Sequence, residues 1–189
     1  GVDAELTKPS IAYRETLRLK PDHFAAWSAL LFNINYLGDE PVAGMVTEAK
    51  AYGEAVAARI RPRTAHANDR DPNRPLRVGL ISADLHNHPV GRFLEHPLAA
   101  LDNGKVELFA YATGIYEDDM TERLKASIAH WRDVPDLDDD ALERQIRADR
   151  IDILVDLSGH SGGNRLLLFA RKPAPVAFTW LGYFATTGI

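Results

Sequence analysis

The densest group of reactive side chains in the 189 residues is Asp84-Leu85-His86-Asn87-His88-Pro89-Val90. A carboxylate and imidazoles so close in sequence can take a proton from a hydroxyl and hand it on. Asp84 and His88 are suitable general acid/base partners, although four-residue spacing in a loop does not set their distance. Pro89 biases His88 toward an extended backbone and is itself well placed as the first residue of a helix. His88 then falls at a helix N-terminus, where the dipole disfavours added positive charge and keeps the imidazole neutral. The amides of Val90 and Gly91 would be open to an oxygen-rich ligand. The alternative is a helix cap carrying two surface histidines, and in either case His86 and His96 read as bystanders.

Two further loops carry candidates. Ser158-Gly159-His160-Ser161-Gly162-Gly163-Asn164 has glycines that permit tight left-handed backbone, with Asn164 as a competent N-cap. It lacks G-x-G-x-x-G and the Walker lysine, so it reads as a plain capped turn or as a phosphate or sugar contact through His160. Asp156, just before it, either points at the same crevice or ties down a neighbouring loop. In Gly182-Tyr183-Phe184-Ala185-Thr186-Thr187-Gly188 aromatic and hydroxyl groups alternate, a mixture suited to stacking on sugar rings and bonding their hydroxyls, with Tyr183 and Thr187 as candidates. The His-x-His at 86–88 has no further ligand cluster, so no metal is expected. No G-x-S-x-G is present to support a hydrolase elbow.

These loops need a scaffold that presents them together. LRVGLISA (76–83), KVELFAYA (105–112), IDILVDL (151–157) and PVAFTWLG (175–182) read as strands, with a short extra one possible in HWRDVPD (130–136). Helical segments at about 90–102, 117–130, 138–149 and 164–171 alternate with them. This order predicts a Rossmann-like parallel α/β sheet over residues 76–189, and ligands of such sheets sit beyond the carboxyl ends of the strands.

Residues 1–75 read differently. Tyr13, Leu17 and Leu19, then Ala26, Leu30, Leu31 and Ile34, then Val42, Met45, Ala49, Tyr52 and Val56 mark three amphipathic helices, the third over Pro41 to Ile60. RLKPDH stops one helix and lets the next begin with Pro21 near its first turn. YRETLRLKPDHFAAWSALL resembles the seam between two tetratricopeptide units. A helix pair cannot bury both faces, so this is expected to be the end of a longer array; a plain helical cap is the alternative. Residues 61–75 hold turn chemistry without apolar period and form the boundary.

Composition narrows the function classes. A chain that is 46% hydrophobic can bury a core, and zero cysteines exclude a disulfide framework, thiolate ligands and a cysteine nucleophile. No apolar run approaches the roughly 18 to 20 residues that cross a bilayer, and the first residues do not resemble a signal peptide. A cytoplasmic location without membrane contact is expected. The net charge of −5 argues against nucleic-acid binding. Arg61, Arg63, Arg70, Arg74 and Arg77 form the basic cluster and read as a solvated linker.

RVGLISADLHNHPVGRFL followed by IDILVDLSGHSGGNRLLLFARKPAPVAFTWLGYFATTG closely resembles the O-GlcNAc transferase family, its bacterial members in particular. SADxxxHP, DILVDLSGH, RKPAPV and TWLGY occur in that order behind the helical seam, and the resemblance covers about residues 10–36 and 76–189. It implies the N-terminal lobe of a GT-B enzyme, truncated before its nucleotide-binding C-terminal lobe. It also implies inverting transfer of GlcNAc from UDP-GlcNAc to Ser or Thr hydroxyls of protein or peptide acceptors, with no metal or other cofactor. By the same resemblance His88 matches an active-site histidine once favoured as general base, Asp84 a proposed proton acceptor or relay, and Pro89 and Val90 backbone that lines the sugar pocket. Two positions depart from the family: Trp27 precedes Ser28 where histidine is frequent, and Phe184 follows LGY where proline is usual. A UDP-glucose-dependent transferase and a non-catalytic helical-repeat adaptor are the alternatives.

Overall fold

The computed structural model describes residues 2–37, 41–102 and 104–189. Three helices come first: α1 (Val2–Leu19), α2 (Phe24–Ile34) and α3 (Val42–Ala57). Leu17 is buried but Leu19 is 70% exposed, because two residues advance a helix by roughly 200° and carry the side chain to the opposite face. Pro21 lies in the turn between α1 and α2, outside the second helix. His23 is the N-cap instead, its Nδ1 accepting the Ala26 amide at 3.1 Å. The carbonyl of Pro21 accepts the Trp27 indole N–H at 2.9 Å.

Five parallel strands follow: β1 (Leu76–Ser82), β2 (Val106–Ala112), β3 (His130–Asp133), β4 (Ile153–Asp156) and β5 (Val176–Thr179), in the order β3-β2-β1-β4-β5. The short strand read in 130–136 is real and pairs with β2. Between the strands lie α4 (Pro89–Ala99), α5 (Asp119–Ser127), α6 (Asp139–Ala148) and α7 (Leu166–Ala170). Side chains along a strand alternate in direction, which splits the core in two. Leu80, Leu108, Ala110 and Val155 pack with α4 and α5, whereas Ile81, Phe109, Tyr111 and Leu154 pack with α6 and α7.

A third cluster joins the two parts of the chain. Leu30, Leu31, Ile34, Tyr52 and Val56 from the helices enclose the fully buried Leu166 of α7. The strand order reverses between β1 and β4, so their carboxyl ends flank the crevice where parallel sheets bind ligands. Ser82 and Ser158 face each other across it with hydroxyl oxygens 3.4 Å apart.

Residues 61–75 contain no helix or strand and are mostly exposed, as a solvated linker should be, yet several side chains of this segment and of the start of β1 tie it to the lobe. Asn68 donates to the Arg150 and Ile151 carbonyls, Arg74 pairs with Asp152 at 2.6 Å, Arg63 with Glu143 at 2.5 Å and Arg77 with Glu107 at 2.9 Å. Nearby, Asp149 accepts hydrogen bonds from Tyr111, Arg132 and Gln145. Burial alone would raise its carboxyl, but these donors outweigh burial and hold it below the usual range. A carboxylate depressed by folding stabilises the protein above its unfolded value, near 4, and that contribution is lost as pH falls through the folded one. Asp149→Ala is expected to cost about 2 kcal/mol in urea unfolding at pH 7 and to flatten the stability profile at the acid end.

Candidate active site

The loop after β1 is built by its neighbours. The Asp84 amide is held by Ser82 Oγ at 2.9 Å, the Asn87 amide by Asp118 Oδ2 at 2.8 Å, and the Leu85 carbonyl by Thr121 Oγ1 at 3.0 Å. Asp118 and Thr121 also form the capping box of α5, so the start of that helix braces the loop. Neither residue was identified as functional from sequence, although Asp118 is of a type strongly preferred at a helix N-cap. Gly91 is required here, since a Cβ on it would lie 2.2 Å from the His86 carbonyl oxygen.

His88 is the N-cap of α4, with φ −123° and ψ 158°, the extended backbone imposed by Pro89. Its Nδ1 accepts the Val90 amide at 3.3 Å. That amide is therefore occupied, not open to a ligand, and Pro89 has none to offer. With the Nδ1 lone pair engaged, the neutral ring carries its proton on Nε2, which has no partner among the described residues and is a donor. The Asp84 carboxylate sits 3.9 Å from His88 Nδ1 and 4.0 Å from His86 Nε2, too far for hydrogen bonds to either. His86, expected to be a bystander, thus stands as near to Asp84 as His88 does. His96 is exposed toward the far end of α4.

The other two candidate loops form a junction. Asp156 is 1% exposed and accepts the amides of Ser158 and Gly159 at 3.0 and 2.9 Å, so it ties down its own loop. Burial raises its carboxyl above the ordinary value against those hydrogen bonds. His160 is buried between the rings of Tyr52 and Tyr183. Its Nε2 pairs with the Thr187 carbonyl at 3.0 Å and its Nδ1 with Ser28 Oγ at 3.1 Å. Desolvation pushes this imidazole down to about 4. Tyr183 donates its hydroxyl to the Leu31 carbonyl at 3.0 Å and receives Asn35 Nδ2 at 2.9 Å. The N-cap position of α7 is Arg165, whose side chain makes no cap bond; Asn164, one residue earlier, accepts the Leu166 amide through Oδ1 at 3.4 Å and donates from Nδ2 to the Ser161 carbonyl at 2.9 Å. Asp84, His88, Pro89 and Val90 thus share one loop, whereas His160, Tyr183 and Thr187 are brought together against α2 and α3.

Beside the His160 junction a cavity of about 640 Å³ is lined by Phe24, Ser28 and Phe32 of α2 and by Thr113, His160 and Ser161. The Thr113 and Ser161 hydroxyl oxygens are buried without a hydrogen-bond partner among the described residues. Such groups are costly when left unpaired, and both belong to residues of the cavity wall. Thr113 is anchored to β1 through its amide and the Ser82 carbonyl, so this cavity and the Asp84 loop belong to the same edge of the sheet.

The chemistry available is a half-buried carboxylate without hydrogen-bond donors, an imidazole whose Nε2 is unengaged among the described residues, and an amphipathic cavity on the same edge of the sheet. The family model for glycosyl transferase family 41 matches residues 52–189. Over 177 residues the chain is 35% identical to a probable UDP-N-acetylglucosamine–peptide N-acetylglucosaminyltransferase SPINDLY of Arabidopsis thaliana, covering 91% of this chain and 19% of that protein. The counterpart from Solanum lycopersicum is 32% identical, covering 92% of this chain and 19% of the relative. Among solved structures, a mutant of the Thermobaculum terrenum O-GlcNAc transferase superposes with TM-score 0.91 and 38% identity, over 99% of this chain and 36% of that one. The chain therefore spans about a fifth of the length of its curated relatives and about a third of the solved one. The family match over residues 52–189, well over half of the chain, leads to one assignment: this chain belongs to glycosyl transferase family 41.

Proposed function

We propose that the intact protein is an inverting transferase that moves GlcNAc from UDP-GlcNAc to Ser or Thr hydroxyls of proteins, and that residues 76–189 form its acceptor-side lobe behind the last helices of a tetratricopeptide array (residues 1–75). The relatives' names support the donor and the peptide acceptor. The observation that carries the reading is the Asp84 carboxylate, which no donor in the described chain satisfies although it stands beside two imidazoles at the sheet's switch point.

In this mechanism the acceptor oxygen attacks the anomeric carbon, the bond from that carbon to UDP breaks, and the hydroxyl proton passes to Asp84 directly or through a water. UDP departs with the electron pair. His88 stays neutral and gives its Nε2 hydrogen to an oxygen of donor or acceptor, since protonating Nδ1 would break the cap on Val90. Pro89 and Val90 form the wall of the sugar pocket. The acceptor chain enters over the cavity walled by Thr113, Ser161 and the aromatic residues of α2. His160, Tyr183 and Thr187 serve the substrate from one layer behind, by holding the two loops against α2. The nucleotide is held by a C-terminal lobe of the same enzyme, no metal takes part, and the cytoplasm is the proposed compartment.

The test is a labelled-donor assay on the intact protein with acceptor peptides. UDP-GlcNAc is expected to be used at least about tenfold better than UDP-glucose, a preference of roughly 1.4 kcal/mol, and an excess of EDTA should leave the rate unchanged. Preference for UDP-glucose would overturn the donor assignment, loss of rate with EDTA would overturn the metal-free chemistry, and no transfer from either donor would favour an adaptor.

A further inference from the structure

The basic residues of the linker acquire a setting that their sequence does not suggest. Arg59, Arg61 and Arg63 meet Arg147 of α6 and Arg171, just after α7, around a cavity of about 640 Å³ whose lining contains one carboxylate, Glu143. Glu143 is 6% exposed and accepts from Arg63 and, at 3.3 Å, from Arg171. Arg171 also pairs with Asp140 and Arg59 with Asp22. Arg61 and Arg147 have no acidic partner among the described residues, an unusual concentration of positive charge in a chain of net charge −5. Arg147 lies in the last turn of α6 and Arg171 ahead of β5. The cavity therefore opens at the amino edge of the sheet, opposite the Asp84 loop.

We propose that this cavity binds a compact multivalent oxyanion of the phosphate class, gripped by Arg61 and Arg147 with Arg63 and Arg171 oriented behind them by Glu143. Planar guanidinium forks match the geometry of phosphate oxygens and are less strongly hydrated than ammonium groups. Two unpaired forks facing one cavity repel each other until an anion is placed between them. His66 adds support: burial, followed by the charges of Arg147 and Lys172, holds its imidazole below the ordinary value. An anion in the cavity would oppose the second of these effects.

Calorimetric titration of the intact protein with inorganic phosphate, in buffered chloride, tests the idea, with the double variant reporting binding at any other site. Saturable binding by about 10 mM is expected, weakened about tenfold or more in the R61Q/R147Q double variant. That variant keeps the Arg63–Glu143–Arg171 ties, so its thermal unfolding should be unchanged. In the wild type, saturating phosphate should also move the His66 titration upward. O-phosphoserine is the second titrant: tighter binding than inorganic phosphate marks a phosphomonoester site, weaker binding a site for the free ion. Absence of saturation with both titrants, equal affinity in the double variant, or a His66 titration unmoved by phosphate would each overturn the proposal.

Discussion

Asp84→Asn in the intact enzyme is expected to lower turnover by about 100-fold or more while leaving the apparent affinity for the donor within a few-fold, as befits the loss of a proton acceptor. The substitution is nearly isosteric, and the carboxylate makes no hydrogen bond within the described chain, so thermal unfolding should hardly change. His88 needs two variants because it does two things. Asparagine is a good N-cap, so His88→Asn should retain stability while removing the Nε2 donor, with a loss of turnover again near 100-fold. His88→Ala also removes the bond to the Val90 amide and is expected to cost about 1 kcal/mol of stability. Full activity in His88→Asn would show that the imidazole serves the helix and not the reaction. Full activity in Asp84→Asn would remove the carboxylate from the mechanism.

Acidification should unfasten the helices from the lobe through His160. Its folded value, pushed down to about 4 by burial, lies below the ordinary histidine value of about 6.5. Stability is therefore whole above the unfolded value and declines as pH falls from about 6.5 toward 4, by roughly 3 kcal/mol in all. The physical cause is desolvation, since a second ring proton would place a charge on an imidazole buried between Tyr52 and Tyr183. His160→Phe keeps a ring between those aromatics but removes the donor to the Thr187 carbonyl and leaves Ser28 with only the long bond from Asn164 Nδ2. It should cost about 2 kcal/mol at pH 7 and abolish most of the slope between pH 6.5 and 4. Urea unfolding of both proteins at the two pH values decides the matter: parallel slopes would acquit His160.

Much of the architecture was legible because it depends on near neighbours. Alternation within LRVGLISA and VELFAYA sorts Leu80 from Ile81 and Leu108 from Phe109 onto opposite faces, and no distant residue is needed to see it. Pro89 fixes the backbone of His88 and hence the start of α4. The Asp84–Val90 loop was recognisable on the same ground, as reactive types crowded at the end of a strand.

What needed the tertiary structure was the identity of each side chain's partner. His160 looked open to a ligand, yet it is paired with Ser28, 132 residues away in sequence, and with Thr187. His86 looked idle and stands 4.0 Å from Asp84. Arg63 and Arg74 looked unpartnered and are paired with Glu143 and Asp152, while Arg61 and Arg147 line one cavity. Backbone periodicity is a local property and survives in a linear string. Charge pairing, desolvation and cavity walls arise between residues that only folding makes adjacent, so the strands and the reactive loop belong to the sequence, whereas the junction and the basic cavity belong to the fold.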